Sequence, residues 1–193
     1  MRYECEEQAR AEGRLESMAP IERVQRFGLV TALAAVGLLS GCVDGSQTDD
    51  TARDAAIYQT VIVDLVDRSG VELDPAPDLP LVFVEALGTD EILLPVQADV
   101  VASLVDQYHI RFIDHRDEAV EIDLPDLPVR AGSLLIGLWQ IDVDDTAEVR
   151  GELYVSADEI EGFSYTLAPA ADNGWEVVGS PLSIEPEGLV PGS

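Results

Sequence analysis

The stretch GFSYTLAPAADNGWEVVGSPL, residues 162–182, carries the strongest fold signal in the chain. Two runs, 162–170 and 175–182, are rich in aromatic and β-branched residues, as is typical of strands. Between them, Asn173 and Gly174 form the dipeptide that tight hairpin turns favour, because both central residues of such a turn need a positive φ. The stretch therefore predicts two antiparallel strands.

Two more strands are predicted immediately before this hairpin. SLLIGLWQIDV, residues 133–143, is expected to be the longest strand, and VRGELYVS, residues 149–156, follows it after a polar turn. With the hairpin they make four strands in a row, which favours an antiparallel meander.

The preceding residues alternate helices with strands. Apolar residues recur at helical spacing in 51–69 and in about 96–108. The runs 81–87 and 109–114 read as strands. The predicted fold class is α+β: an antiparallel sheet, with a C-terminal four-strand meander, covered by two helices. The apolar face predicted for the second helix consists of Val100, Val101, Leu104, Val105 and Tyr108.

The charge of the chain is strongly unbalanced. It has 38 acidic residues and 11 basic ones, all arginine, for a net charge of −27. Nucleic acid is therefore excluded as a partner, because its binding needs a basic surface that displaces counterions. A dense carboxylate surface is typical of proteins adapted to high salt. The alternative is a specific cation site within that surface.

An uncharged run of 17 residues, 27–43, lies near the start of the chain. A membrane-spanning helix needs about 20 apolar residues, so this run is short for a span and suits the core of a signal peptide. Arg23 and Arg26 provide the positive flank in front of it, and the run closes on Leu39, Ser40, Gly41 and Cys42.

These last four residues resemble the lipobox of bacterial lipoproteins, and archaeal secreted proteins use similar boxes. The resemblance implies cleavage before Cys42, a lipid on its thiol and an extracytoplasmic domain anchored to the membrane by that lipid. The alternative is a buried helix or an uncleaved anchor. Met18 suits a signal peptide better than Met1 does, since residues 1–17 are acidic and polar.

The chain is thus predicted to divide into five parts. They are a segment preceding the true start (1–17), a lipoprotein signal peptide (18–41), a short tether (42–50), a single α+β domain (51–185) and a C-terminal tail (186–193). The body of the domain, 57–181, is also similar to actinobacterial lipoprotein domains, a resemblance that implies no activity.

No catalytic, cofactor or metal site is predicted. His109 and His115 are separated by a strand, hence by about 20 Å, which is too far to share a metal ion. His115 and Asp117 are close enough in sequence to share one, but a third ligand is not evident. Residues 142–148, DVDDTAE, depart from the calcium-loop pattern and read as a hairpin turn.

Other common catalytic patterns are not found in the sequence. No serine stands in a G-x-S-x-G motif, and there is no phosphate-binding loop or dinucleotide fingerprint. Trp139 and Trp175 lie on predicted strands and are expected to pack in the domain rather than to form a ligand platform.

The expected function is that of a membrane-anchored, non-enzymatic binding or interaction module. Its partner would be another envelope protein or a small molecule. The alternative is a small-ligand-binding domain or an enzyme that uses a carboxylate together with His115.

Overall fold

The computed structural model describes residues 45–70, 79–171 and 174–189, which lie within one unit of the chain, Gly41–Ser193. For residues 45–48 the description covers the backbone only. The predicted signal peptide and Cys42 lie outside the described residues.

The described residues contain two α-helices, α1 (Gly45–Ser69) and α2 (Leu94–Leu104), and a short 3₁₀ helix, Arg116–Glu118. The predicted first helix is confirmed, but it begins six residues earlier, so that residues 45–50 of the predicted tether are helical. The second helix is also confirmed, but it ends at Leu104 and not at about Tyr108 as predicted. It starts two residues earlier than predicted because Pro95 fits the first turn, where its missing N–H has no helical partner.

The α+β class is confirmed, with a sheet of eight strands. They are β1 (Leu81–Ala86), β2 (His109–Ile113), β3 (Ser133–Leu138), β4 (Asp142–Val143), β5 (Ala147–Ser156), β6 (Glu159–Pro169), β7 (Trp175–Val177) and β8 (Leu182–Ile184). The prediction of one longest strand over 133–143 is wrong, because this stretch divides into β3 and β4, and β6 is the longest strand.

The main path of the sheet runs β2-β1-β3-β5-β6-β7. Strand β1 is parallel to both neighbours, with Val82 opposite Ile110 on β2 and Leu134 on β3. The prediction of an antiparallel sheet is therefore wrong for this half. The physical reason is the crossover through α2, which returns the chain to the end of the sheet at which β1 begins. Strand β2 therefore runs in the same direction as β1, and β1, α2 and β2 form a βαβ unit.

The other half of the sheet is antiparallel. The predicted pairing of these two strands is confirmed, since Leu167 and Pro169 of β6 lie opposite Val177 and Trp175 of β7. The strand predicted over 175–182 nevertheless ends at Val177. Two further strands are present: β4 pairs with β5, and β8 pairs with β6. The predicted arrangement, a four-strand meander under two helices, is not confirmed in that form.

Apolar side chains form a core on each face of the sheet. On one face, Ile57, Val61, Ile62 and Leu65 of α1 are fully buried against the strands. The opposite face is covered by Ala119, Val120 and Leu189, which pack on Phe83, Leu135 and Tyr154. All six residues of β3 are buried because it lies between both cores.

The face predicted to be apolar around α2 is buried only in part. Val96, Val100 and Leu104 face the core, whereas Val101 and Val105 are 37% and 56% exposed. The prediction is wrong for these two valines because residues at spacing four share a face, and 96, 100 and 104 already form the buried one.

Candidate functional site

A shallow apolar groove lies between α2 and β2, with a volume of about 700 Å³. We call it the α2–β2 groove. Leu94 and Val105 on its helix side are 78% and 56% exposed. It is lined by Leu94, Gln97, Ala98, Val101 and Ala102 of α2, by Val105 at the C-cap of this helix, and by Ile110, Arg111 and Phe112 of β2. Because α2 also buries its opposite side, the helix is apolar almost all round, which is typical of a helix that is covered.

The strand that forms one wall of the groove is at the edge of the described sheet. On its inner side the His109 N–H donates to the Pro80 carbonyl at 2.8 Å. Backbone groups of a strand alternate in direction, so those of Ile110 and Phe112 point to the outer side. Among the described residues no strand pairs with that outer side. An open edge of this kind is a template for an added strand.

Acidic residues flank, in the chain, the two elements that form the groove. Arg111 is the only charged residue in its lining, and its guanidinium donates to the Glu118 carboxylate at 2.7 Å. Exposed acidic residues stand next to these elements in the chain: Asp90 and Glu91 before α2, Asp99 on it, Asp106 after it and Asp114 after β2. The groove therefore has an apolar floor, and we call the acidic residues that flank its two elements in the chain its rim.

A cleft of about 640 Å³ continues the groove to the carboxyl ends of β1 and β2. It shares Leu94, Gln97 and Phe112 with the groove, and Glu91 and Asp114 add two carboxylates to its lining. The carboxyl ends of parallel strands are a common place for ligands in α/β sheets.

A smaller cavity of about 280 Å³ lies between α1 and the loop before α2. Its lining includes Asp54, Tyr58, Asp90 and Gln140. The Tyr58 hydroxyl donates to the Trp139 carbonyl at 3.2 Å. Burial, and then the charge of Asp54, raise the pKa of Tyr58 well above its usual value, so the phenol stays neutral.

A buried carboxylate lies on the opposite face of the sheet. Glu152 of β5 is fully buried and accepts backbone N–H bonds from Glu187 (2.8 Å), Gly188 (2.9 Å) and Leu189 (2.7 Å). The Trp139 indole N–H also points to it at 3.4 Å. Such a set of donors is what a buried carboxylate requires.

Arg116 holds the same segment from the other side. Its guanidinium donates to the carbonyls of Leu189 at 2.6 Å and Gly188 at 3.0 Å, and to Glu85 at 3.4 Å. Burial raises the pKa of Glu85, and the charge of Arg116 opposes that shift. We call Glu152, Arg116 and residues 187–189 the C-terminal clamp. The protein's own backbone satisfies both charged groups, so the clamp is structural.

The predicted histidines do not form a site with each other. His109 starts β2, His115 precedes the 3₁₀ helix, and both are exposed, as is Asp117. The enzyme alternative pairs His115 with a carboxylate, and the half-buried Glu85 is one that His115 influences: burial raises the pKa of Glu85, and the charges of Arg116 and then His115 oppose that shift. Within the described part of the chain, no cluster of three or more histidine, cysteine or acidic side chains could hold a metal ion.

The predicted packing of the tryptophans and the predicted turn are found, but Trp139 lies just after β3 and not on a strand as predicted. The Trp139 ring lies 4.9 Å from the Arg150 guanidinium, and Trp175 packs against the helix-side core. Residues 142–148 form a hairpin turn, in which Asp142 lies opposite Glu148.

Two features of the structure were not predicted from the sequence: the α2–β2 groove and the buried Glu152. The groove could have been found from Leu94, Ala98, Val101 and Val105, which repeat at helical spacing beside the buried stripe. Glu152 interrupts an apolar strand, which is a usable signal in most chains, but it carries little information in a chain with 38 acidic residues.

The chain matches no family model, and neither the curated proteins nor the solved structures give a significant match. In the part of the chain that the structure describes, neither helix has the length and apolarity needed to cross a membrane.

Proposed function

We propose that the protein is a lipoprotein whose extracytoplasmic domain binds a partner rather than catalysing a reaction. In this proposal Cys42 carries the lipid, residues 18–41 are removed as a signal peptide, and residues 51–185 form the binding domain. The two helices and the C-terminal antiparallel meander are its scaffold. The ordered flank, apolar core and lipobox in residues 23–42 support the anchor.

The observation that carries the binding role is the α2–β2 groove. Soluble proteins rarely leave a contiguous apolar surface uncovered, and such surfaces usually mark interaction sites. Here the exposed side chains of Leu94 and Val101 on α2 and of Val105 at its C-cap line one groove, next to a strand edge that no other strand among the described residues pairs with. By contrast, the buried carboxylate of Glu152 and the partly buried guanidinium of Arg116 are engaged by the protein's own backbone, which supports a non-enzymatic role.

The anchor is tested by Cys42→Ala. We expect the variant to leave the membrane fraction or to remain as an unprocessed precursor, because the thiol is the site of acylation. Fractionation after a high-salt wash measures whether the variant stays with the membrane, and intact-mass measurement shows whether it is processed. A processed variant that still remains with the membrane would contradict lipid anchoring.

The binding role is tested by photo-crosslinking in intact cells. A photoreactive phenylalanine analogue at position 105 is expected to give a discrete cross-linked product, because Val105 is exposed inside the groove. Position 178 is the matched control, since Val178 is similarly exposed, at 52%, on an unrelated surface. Equal products from both positions would rule out a specific site at the groove.

A second candidate function is the binding of a small organic cation, such as an amine, in the cleft that continues the α2–β2 groove. Its volume of about 640 Å³ is within the usual range for ligand sites, and Glu91 and Asp114 line it. A thermal-shift screen of small amines would support this function if Glu91→Gln and Asp114→Asn abolished the shift.

A further inference from the structure

We infer that the occupant of the α2–β2 groove is an extended apolar segment of another protein, flanked by lysine or arginine, which adds to β2 as a new edge strand. The inference rests on the proposed binding role and names the partner's chemistry. Three observations carry it: the open edge, the apolar floor and the charge of the rim.

The open edge requires an extended backbone. The outward backbone groups of Ile110 and Phe112 need partners of the kind that a strand supplies. Strand β2 has five residues, so the added strand would span about 17 Å.

The floor specifies alternating apolar side chains. A strand next to β2 would turn every second side chain towards α2, where Ala98, Val101 and Val105 lie exposed. Burying those side chains would give α2 the cover that its apolar outer face lacks among the described residues.

The negative charge of the rim distinguishes between three possible occupants: a second copy of this chain, an anionic lipid surface and a segment with basic flanks. A second copy of this chain would bring another net charge of −27 to a rim that already contains Asp99 and Asp106, so like charges would meet. An anionic lipid surface is disfavoured for the same reason. A segment flanked by basic residues would instead be attracted to the rim, and its association would weaken as salt screens the charges.

The test uses the full chain in nanodiscs of neutral phosphatidylcholine and a labelled peptide, Lys-Lys-Val-Thr-Ile-Thr-Val-Lys-Lys, followed by fluorescence anisotropy. We expect saturable binding that weakens at least tenfold between 50 mM and 500 mM NaCl. Empty nanodiscs give the background. A peptide with the same flanks but a Gly-Ser-Gly-Ser-Gly core should bind at least tenfold more weakly, and so should the apolar core flanked by glutamates.

Backbone pairing is tested with two N-methylated peptides. One carries N-methyl groups on both threonines, and the other carries them on the valines and isoleucine. Only one of these two sets of amides can face β2, so one peptide should lose binding and the other should retain it. If both bind as the parent does, strand addition is wrong.

The protein variants locate the site. Val105→Asp and Val101→Asp should each weaken peptide binding at least tenfold, whereas Val178→Asp should change it less than twofold. All three positions are exposed, and circular dichroism confirms that each variant folds. The inference is overturned if Val105→Asp binds normally, if the glycine-serine or glutamate-flanked peptide binds equally well, or if the chain self-associates through Val105.

The two proposals can fail separately. A cross-link at position 105 in cells, without binding of the basic peptide, would leave the binding role intact and reject the partner chemistry. The peptide measurement is also independent of the anchor, because it does not depend on whether Cys42 carries a lipid.

Discussion

At the scale of single residues, the fold depends on a charge that lies inside it. Glu152 is fully buried, and its carboxylate is stabilised by N–H groups of residues 187–189 rather than by water. Those residues belong to the stretch that the sequence predicts as a tail. Leu189 nevertheless fills a position in the second core, with no exposed surface. One carboxylate thus joins the chain's last described residues to the sheet.

We expect Glu152→Gln to lower the free energy of unfolding by about 3 kcal/mol, because one oxygen is replaced by an NH₂ group that cannot accept the backbone N–H bonds. Denaturant unfolding measures the loss. Glu148→Gln, an exposed position on the same strand, is the control and should change stability by less than about 0.5 kcal/mol. Amide exchange at Gly188 and Leu189 should also accelerate in Glu152→Gln. Unchanged exchange would show that the clamp does not hold the segment.

At the scale of elements, close contacts at glycines decide how neighbouring pieces fit. Gly151 of β5 lies against Leu65 of α1, where an added Cβ would come within 2.9 Å of a methyl group. Gly162 of β6 is closer to backbone: a Cβ there would lie 2.9 Å from the Ile184 carbonyl oxygen and 3.2 Å from the Pro186 nitrogen. Backbone cannot rotate away as a side chain can, so Gly162 determines whether β8 can pair with β6.

Gly162→Ala should therefore destabilise the protein by about 1–3 kcal/mol and loosen β8 specifically. Amide exchange at residues 182–184 is expected to increase more than exchange at residues 175–177 of β7, which pairs with a different part of β6. Ser164→Ala on the same strand is the control, since it adds no atoms. Equal exchange in both short strands would contradict a local role for Gly162.

At the scale of the whole molecule, net charge opposes folding. A charge of −27 is concentrated when the chain folds, and the ion pairs in the structure are mostly exposed, as with Arg111 and Glu118. Exposed pairs of this kind contribute little. Mutual repulsion of carboxylates is therefore the dominant long-range electrostatic effect, and it depends on ionic strength.

The melting temperature of the full chain should rise steadily from 10 mM to 1 M NaCl, because the screening length falls from about 30 Å to about 3 Å. KCl should act alike, since screening does not distinguish the two cations. Differential scanning calorimetry measures the effect. A flat or falling curve would contradict the repulsion argument. A rise at micromolar calcium that magnesium does not reproduce would point to a specific cation site instead.

The sequence by itself determined the two helices, most of the strands, the α+β class and the β6–β7 hairpin, because these depend on periodicity and turn chemistry within short stretches. Only the tertiary structure decided the parallel pairing of β1, the cover of the second face by Leu189, the burial of Glu152 and the exposure of Val101 and Val105. Each of these depends on which distant segment lies opposite. Helical spacing shows that valines share a face, but it does not show which of two apolar faces meets the core.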